Sequence, residues 1–197
     1  MSKINEIFYS LQGEGRHSGE AAVFVRFSGC NLKCPFCDTL HESGTEMTEE
    51  EIVAEASRYP TRLVVLTGGE PSLWIGASLV DRLHEAGKYI AVETNGTNPL
   101  PDGVDWITMS PKAAMAPGAD VMRLQRADEI KVVDLGQDLE RYFLLPQRGE
   151  TTLMYLQPCF VDDAEEYARN VERTVGRVKA DPRWRLSAQL HRFLQIP

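Results

Sequence analysis

Apolar runs that each end in a polar or glycine-containing group recur along this chain, and that recurrence limits the fold more than any other feature. Residues 63–66 (LVVL) run into TGGEP, 89–93 (YIAVE) into TNG, 105–109 (DWITM) into SPK, and 152–157 (TLMYLQ) into Pro158-Cys159. Two more runs, at 21–27 (AAVFVRF) and 128–133 (DEIKVV), complete the set. Short apolar runs bounded by turn residues suit strands buried on both faces. Helical patterns between them indicate parallel units, and a parallel barrel carries its chemistry at the carboxyl ends of the strands. A complete eight-stranded barrel takes about 250 residues. The 197 residues here fit a smaller α/β fold, a partial TIM-like barrel of about six parallel strands. Stretches 97–104 and 113–127 are too short or irregular for full helices, so fewer helices than strands are expected. No repeat or linker marks a second domain, and residues 1–197 read as one.

Local signals place the remaining elements. Residues 4–9 are mildly strand-like. Thr48 and Glu51 have the capping-box spacing ahead of Ile52, Val53 and Ala56. A second helix carries Leu79, Val80, Leu83 and Ala86 on one face, with Gly87 as its C-cap. A short helix is expected near Leu139, Tyr142 and Phe143. A long one follows Asp162 as N-cap, its face made of Ala164, Tyr167, Ala168, Val171, Val175 and Val178. The tail LHRFLQIP is unusually apolar, so Phe193, Leu194 and Ile196 are expected to bury and to fix Pro197.

Chemistry concentrates in residues 30–39, CNLKCPFCDT, where Cys30, Cys34 and Cys37 put three thiols on one tight loop. Thiolates are soft ligands that suit iron–sulfur clusters or zinc. Three thiolates leave one iron of a four-iron cluster open to a small molecule, whereas a zinc knuckle would need a distant His to complete it. Leu11-Gln12-Gly13-Glu14-Gly15 is a loop whose amides are able to approach a ligand, or a plain surface loop. Arg26, inside an apolar strand, needs a carboxylate, which an internal acid or a substrate would supply. Cys159, set apart from the other three cysteines, reads as a small buried thiol.

Composition narrows the class. A net charge of −8 gives no basic footprint for a nucleic-acid backbone. No apolar run approaches the roughly 20 residues of a membrane span. The first residues carry no secretory pattern, and clustered cysteines are not a disulfide framework, so a reducing cytoplasm is expected.

The loop resembles the signature of the radical S-adenosylmethionine (SAM) superfamily, CxxxCxxC with an aromatic residue, here Phe36, before the last cysteine. FYSLQGEG, VFVRFSGCNLKCPFCDT, TGGEP, ETNGT, SPK, EIKVV, LQP and LSAQLHRFLQIP together resemble the 7-carboxy-7-deazaguanine synthase family, from residue 7 to 197. The resemblance implies a carbon–nitrogen lyase acting on 6-carboxy-5,6,7,8-tetrahydropterin. SAM cleavage yields a radical that takes hydrogen from C6, the ring contracts, ammonia leaves, and SAM is regenerated. It assigns Cys30, Cys34 and Cys37 to a [4Fe-4S] cluster whose fourth iron SAM chelates. Phe36, Asp38, Gly69, Glu93, Ser110, Pro111, Lys112 and Gln157 fall to SAM, and Thr39 to Mg2+. Leu11, Gln12, Gly13, Glu14, Arg26, Thr67, His191 and Pro197, the last through its terminal carboxylate, fall to the substrate. It further implies a homodimer, a reductant such as flavodoxin or ferredoxin, and a 7-deazapurine pathway such as that to queuosine, without direct tRNA binding. No side chain stands out as a general acid or base, which suits chemistry carried by a cofactor. Two rivals remain on sequence grounds: an activase that makes a glycyl radical on a protein, and a zinc-stabilised binding module.

Overall fold

A strand buried on both faces must satisfy its backbone through strands on either side, which is what draws the apolar runs into one sheet. The computed structural model describes residues 1–35, 37, 42–113, 119 and 121–197. The strands are β1 (Ser2–Leu11), β2 (Ala21–Phe27), β3 (Thr45–Met47), β4 (Leu63–Gly68), β5 (Tyr89–Thr94), β6 (Trp106–Met109), β7 (Ala127–Asp134), β8 (Arg148–Pro158) and β9 (Arg185–Leu186). The helices are α1 (Glu49–Ser57), α2 (Ala77–Glu85), α3 (Glu140–Phe143), α4 (Ala164–Ala180) and α5 (Leu190–Leu194). One nine-stranded sheet runs in the order β3-β1-β2-β4-β5-β6-β7-β8-β9. The six expected strands are β2, β4, β5, β6, β7 and β8, each parallel to the next. β9 continues the parallel series, while β1 is antiparallel to β2 and β3 at the other edge.

Side-chain alternation separates two cores. Val23, Val25 and Phe27 of β2, with Val64, Leu66, Ile90 and Val92, face outward beneath Ile52, Leu79, Val80 and Leu83 of the helices. The intervening residues Ala22, Phe24, Leu63, Val65 and Ala91 pack on the inner face with Phe8, Tyr89 and Trp106. Along that same inner face the next positions are polar. Arg26, Thr67, Glu93, Lys131 and Gln157 reach a cavity at the carboxyl ends of the strands. Arg26 and Thr67 stand opposite one another in the β2–β4 register.

The α1 cap forms as its spacing predicts. Thr48 Oγ1 accepts from Glu51 N at 3.2 Å, and the Glu51 carboxylate accepts from Thr48 N at 2.8 Å. In α2, Leu79, Val80 and Leu83 are buried, but Ala86 is exposed and is itself the cap. Gly87 lies one residue beyond, where its φ of 74° supplies the left-handed exit. Residues 97–104 form no helix.

Two expectations are corrected. The N-cap of α4 is Asp163, whose side chain accepts from Glu166 N at 2.7 Å, not Asp162. Its buried residues are Asn170 and Thr174, not the apolar stripe. The cause is Asp134, fully buried at the end of β7, which must be met by donors. Thr174 Oγ1 donates to it at 2.9 Å and Arg177 Nη1 at 2.5 Å. Asn170 Nδ2 donates to Cys159 O at 3.0 Å. Ala164, Tyr167, Ala168, Val171 and Val175 therefore lie along a shallow surface groove, and Val178 alone of the stripe packs on the main core.

The tail differs as well. Phe193 is 84% exposed and Leu194 43%, and Ile196 is half-buried. Polar and stacking contacts dock it instead. Leu190 N donates to Gly13 O at 3.0 Å, Ser10 Oγ donates to Pro197 O at 2.7 Å, and the Arg192 guanidinium lies 3.6 Å from the Phe160 ring centroid.

Asp134→Ala removes the acceptor that turns the polar face of α4 inward and leaves Arg177 without it. We expect a loss of about 3 kcal/mol in denaturant unfolding. An unchanged midpoint would mean that the ion pair does not dock the helix.

Candidate active site

Backbone contact fixes the start of the cysteine loop. The chain leaves β2 and turns at Gly29, whose φ is 82°. A Cβ at Gly69 would collide with the Gly29 carbonyl, and one at Gly68 with the Phe27 backbone. Without those carbons, Gly69 N donates to Phe27 O at 3.0 Å and Glu70 N to Gly29 O at 2.9 Å. Glu70, 1% exposed, then accepts from Thr94 Oγ1 at 2.6 Å and Asn95 N at 2.7 Å. Asn95 Nδ2 donates to Asn31 Oδ1 at 3.0 Å, and Asn31 Nδ2 to Thr97 Oγ1 at 2.7 Å. TGGEP and ETNGT thus cradle the start of the cysteine loop.

Cys30, Cys34 and Cys37 are thiols at one side of a cavity of about 400 Å³, a size common for small-molecule sites. Burial pushes the Cys30 thiol up, and Glu70, Cys34 and Cys37 are near enough to add to the effect. Burial pushes Cys34 up as well, with Lys112 opposing. A closed zinc site draws its donors around one point. Among the described residues, no group of three His, Cys, Asp or Glu side chains is set to hold one ion. Three soft donors lining one cavity fit a cluster whose irons each take one thiolate.

The opposite side is built from the Gln12–Gly15 loop, the lumen and the tail. A Cβ at Gly13 would strike the His191 ring, and one at Gly15, where φ is 64°, the Glu129 carboxylate. Arg16 N donates to Glu129 Oε2 at 2.9 Å. Glu14 is the centre of this side: Lys131 Nζ donates to its Oε2, while Gln157 Nε2 at 3.1 Å and Gln189 Nε2 at 3.0 Å donate to Oε1. Burial acts to raise the Glu14 pKa, but the Lys131 ammonium and these donors outweigh it and hold the carboxyl down at about 2. Burial likewise opposes the Lys131 charge, and Glu14 and Glu93 outweigh it and push the lysine up. Burial pushes Glu129 up, with Lys131 opposing. Arg26 finds an internal carboxylate, donating from Nε to Glu6 Oε1 at 2.7 Å, and it also lines the cavity.

The candidates named in the sequence come together. Leu11, Gln12, Gly13, Glu14, Arg26, Cys30, Cys34, Cys37, Thr67, Gly69, Glu93, Ser110, Lys112, Gln157, His191 and Pro197 all line this cavity. Pro111 is buried and does not. Phe36, Asp38 and Thr39 lie outside the described residues. Cys159 is buried at the cavity wall, its Sγ 3.7 Å from Phe160 O. Lys131 and Gln189 were missed. The signal for Lys131 was available, since a lysine inside the apolar run EIKVV demands a buried partner. Gln189 carried no signal in its segment.

The match to the radical SAM superfamily model spans residues 24–134. A 7-carboxy-7-deazaguanine synthase of Bacteroides thetaiotaomicron is 56% identical over 196 residues, covering 100% of this chain and 99% of its own. One from Bradyrhizobium diazoefficiens is 38% identical, covering 98% of each. The crystal structure of QueE from Escherichia coli superposes with a TM-score of 0.77 at 28% identity, covering 96% of this chain and 94% of that one. The chain therefore belongs to the radical SAM superfamily and, within it, to the 7-carboxy-7-deazaguanine synthases.

Proposed function

We propose that this protein converts 6-carboxy-5,6,7,8-tetrahydropterin to 7-carboxy-7-deazaguanine with release of ammonia. The observation that carries the reading is the convergence of three thiols, the Gln12–Gly15 loop and the tail on one cavity. When bound at Cys30, Cys34 and Cys37, the cluster and SAM supply the radical chemistry. The chain's own residues orient and enclose. Arg26 and Thr67, side by side on neighbouring strands, are placed to receive the substrate carboxylate, for which a guanidinium is the natural partner. Glu93, Ser110, Lys112, Gln157 and Gly69 form the SAM wall. Leu11, Gln12, Gly13, Glu14, His191 and Pro197 close the substrate side. Phe36 and Asp38 flank SAM, and Thr39 binds Mg2+, whose hard character calls for oxygen ligands.

The product enters a 7-deazapurine pathway such as that to queuosine, and a flavodoxin or ferredoxin supplies electrons. The protein acts in the cytoplasm, in keeping with a chain in which, among the described residues, no helix is long and apolar enough to cross a membrane. It works as a homodimer. The uncovered apolar flank of α4, where Gly176 has open space beside it, suits helix pairing between copies.

Anaerobic turnover of the carboxy-tetrahydropterin with SAM, Mg2+ and a strong reductant, followed by mass analysis, tests the reading. Absence of the deazaguanine product overturns it. Replacing Cys30, Cys34 or Cys37 by Ala should abolish iron loading and SAM cleavage, while Cys159→Ala keeps both. Full iron in Cys34→Ala would refute the ligand set. Thr39→Ala should weaken the response to Mg2+ with the cluster spectrum unchanged, and a parental metal titration would leave Thr39 without that role.

A further inference from the structure

Lys131 lies on the inner face of β7, 6% exposed, with its ammonium between two carboxylates from distant parts of the chain. Nζ donates to Glu14 Oε2 and lies 3.4 Å from Glu93 Oε1. Those carboxylates decide how three amides are turned. Glu14 Oε1 takes the amide nitrogens of Gln157 and Gln189, and Glu93 Oε1 takes that of Gln12 at 3.0 Å. An ionised carboxylate only accepts, so each glutamine must present its NH2 to it and turn its carbonyl elsewhere. The Gln12 carbonyl accordingly accepts from Glu14 N at 3.2 Å, and that of Gln157 from Ser187 Oγ at 2.8 Å. A protonated carboxyl donates, and the same amides would then be able to turn over.

We propose that Lys131 is a positioning residue that keeps Glu14 ionised and so fixes the donor and acceptor pattern the cavity presents to a pterin ring. The inference rests on the pterin reading above. A pterin edge alternates N–H donors with carbonyl and ring-nitrogen acceptors, so a reversed amide sets donor against donor and leaves buried groups unpaired. Two further titratable groups face this cluster. Glu129, on the same strand, accepts from Arg16 N, and His191, from the tail, helps to hold Glu14 ionised. With Lys131 gone, Glu14 would lose its ammonium partner and keep Glu93 and Glu129 as neighbours, while Arg26, Lys112 and Arg192 still line the cavity and His191 still faces Glu14. Burial then dominates at Glu14, and its carboxylate takes up a proton.

The test is equilibrium binding of 6-carboxypterin, a stable fluorescent analogue, to the anaerobically purified full-length protein. The parent should bind with an affinity that is flat in pH. Lys131→Met should bind about tenfold more weakly near pH 6, with the deficit narrowing toward about pH 7.5 as Glu14 ionises. Lys131→Arg, which keeps the charge, should give a flat profile. A purely structural lysine would weaken binding equally at every pH, and that result, or parental affinity in Lys131→Met, overturns the proposal. Should Lys131→Met fail to fold, Glu14→Gln serves in its place: it should weaken binding independently of pH, and parental affinity there also overturns it. A parent that does not bind the pterin at all overturns the substrate reading, and this inference with it.

Discussion

An ammonium buried in a sheet lumen is tolerated only beside a carboxylate, and the Lys131–Glu14 pair is the interaction on which this site depends. Lys131 is fixed by β7, a central strand. Glu14 is not on a strand, so the pairing pulls its loop into the lumen. Gly13 and Gly15 then permit contacts that any Cβ would block, with His191 and Glu129. Gln189 follows, bringing the tail. One charge pair thus gathers segments that lie up to 175 residues apart in sequence.

The cysteine side obeys a different constraint, the close approach of two backbones. Gly68 and Gly69 are small because the exit of β2 passes against them. The resulting amide bonds, backed by Glu70 and the asparagine pair, hold the entry of the loop while its thiols face the cavity. Cofactor chemistry needs this division. The scaffold is rigid where the strands end, and the reactive groups sit on the loops those ends support.

Much of this was legible without a structure. Each of the six apolar runs is a strand, because each is short, mostly apolar and followed by turn residues, and the six stand side by side in chain order. The Thr48–Glu51 cap formed because a capping box is wholly local. The α4 stripe was real as a pattern, yet periodicity says only that one flank is apolar, not that the flank faces the core. Asp134, thirty residues before α4 begins, decided which face turned inward. The tail was misjudged for a related reason. Its apolar residues suggested burial, but the contacts that dock it are a backbone bond to Gly13, a serine bond to Pro197 and an arginine over Phe160.

Sequence by itself determined the six central parallel strands, the glycine-marked strand ends, the three-thiol loop and, through resemblance, the family. These are encoded by neighbouring residues, or by motifs whose spacing is their meaning. Tertiary structure alone decided that Arg26 meets Glu6, that α4 buries its polar face, and that Lys131 joins Glu14 to Glu93. In each case a charged group needed a partner, a need the sequence reading named for Arg26 and not for Asp134 or Lys131. Only the folded sheet, by bringing remote residues within a few ångströms, settled which of many candidates would meet it.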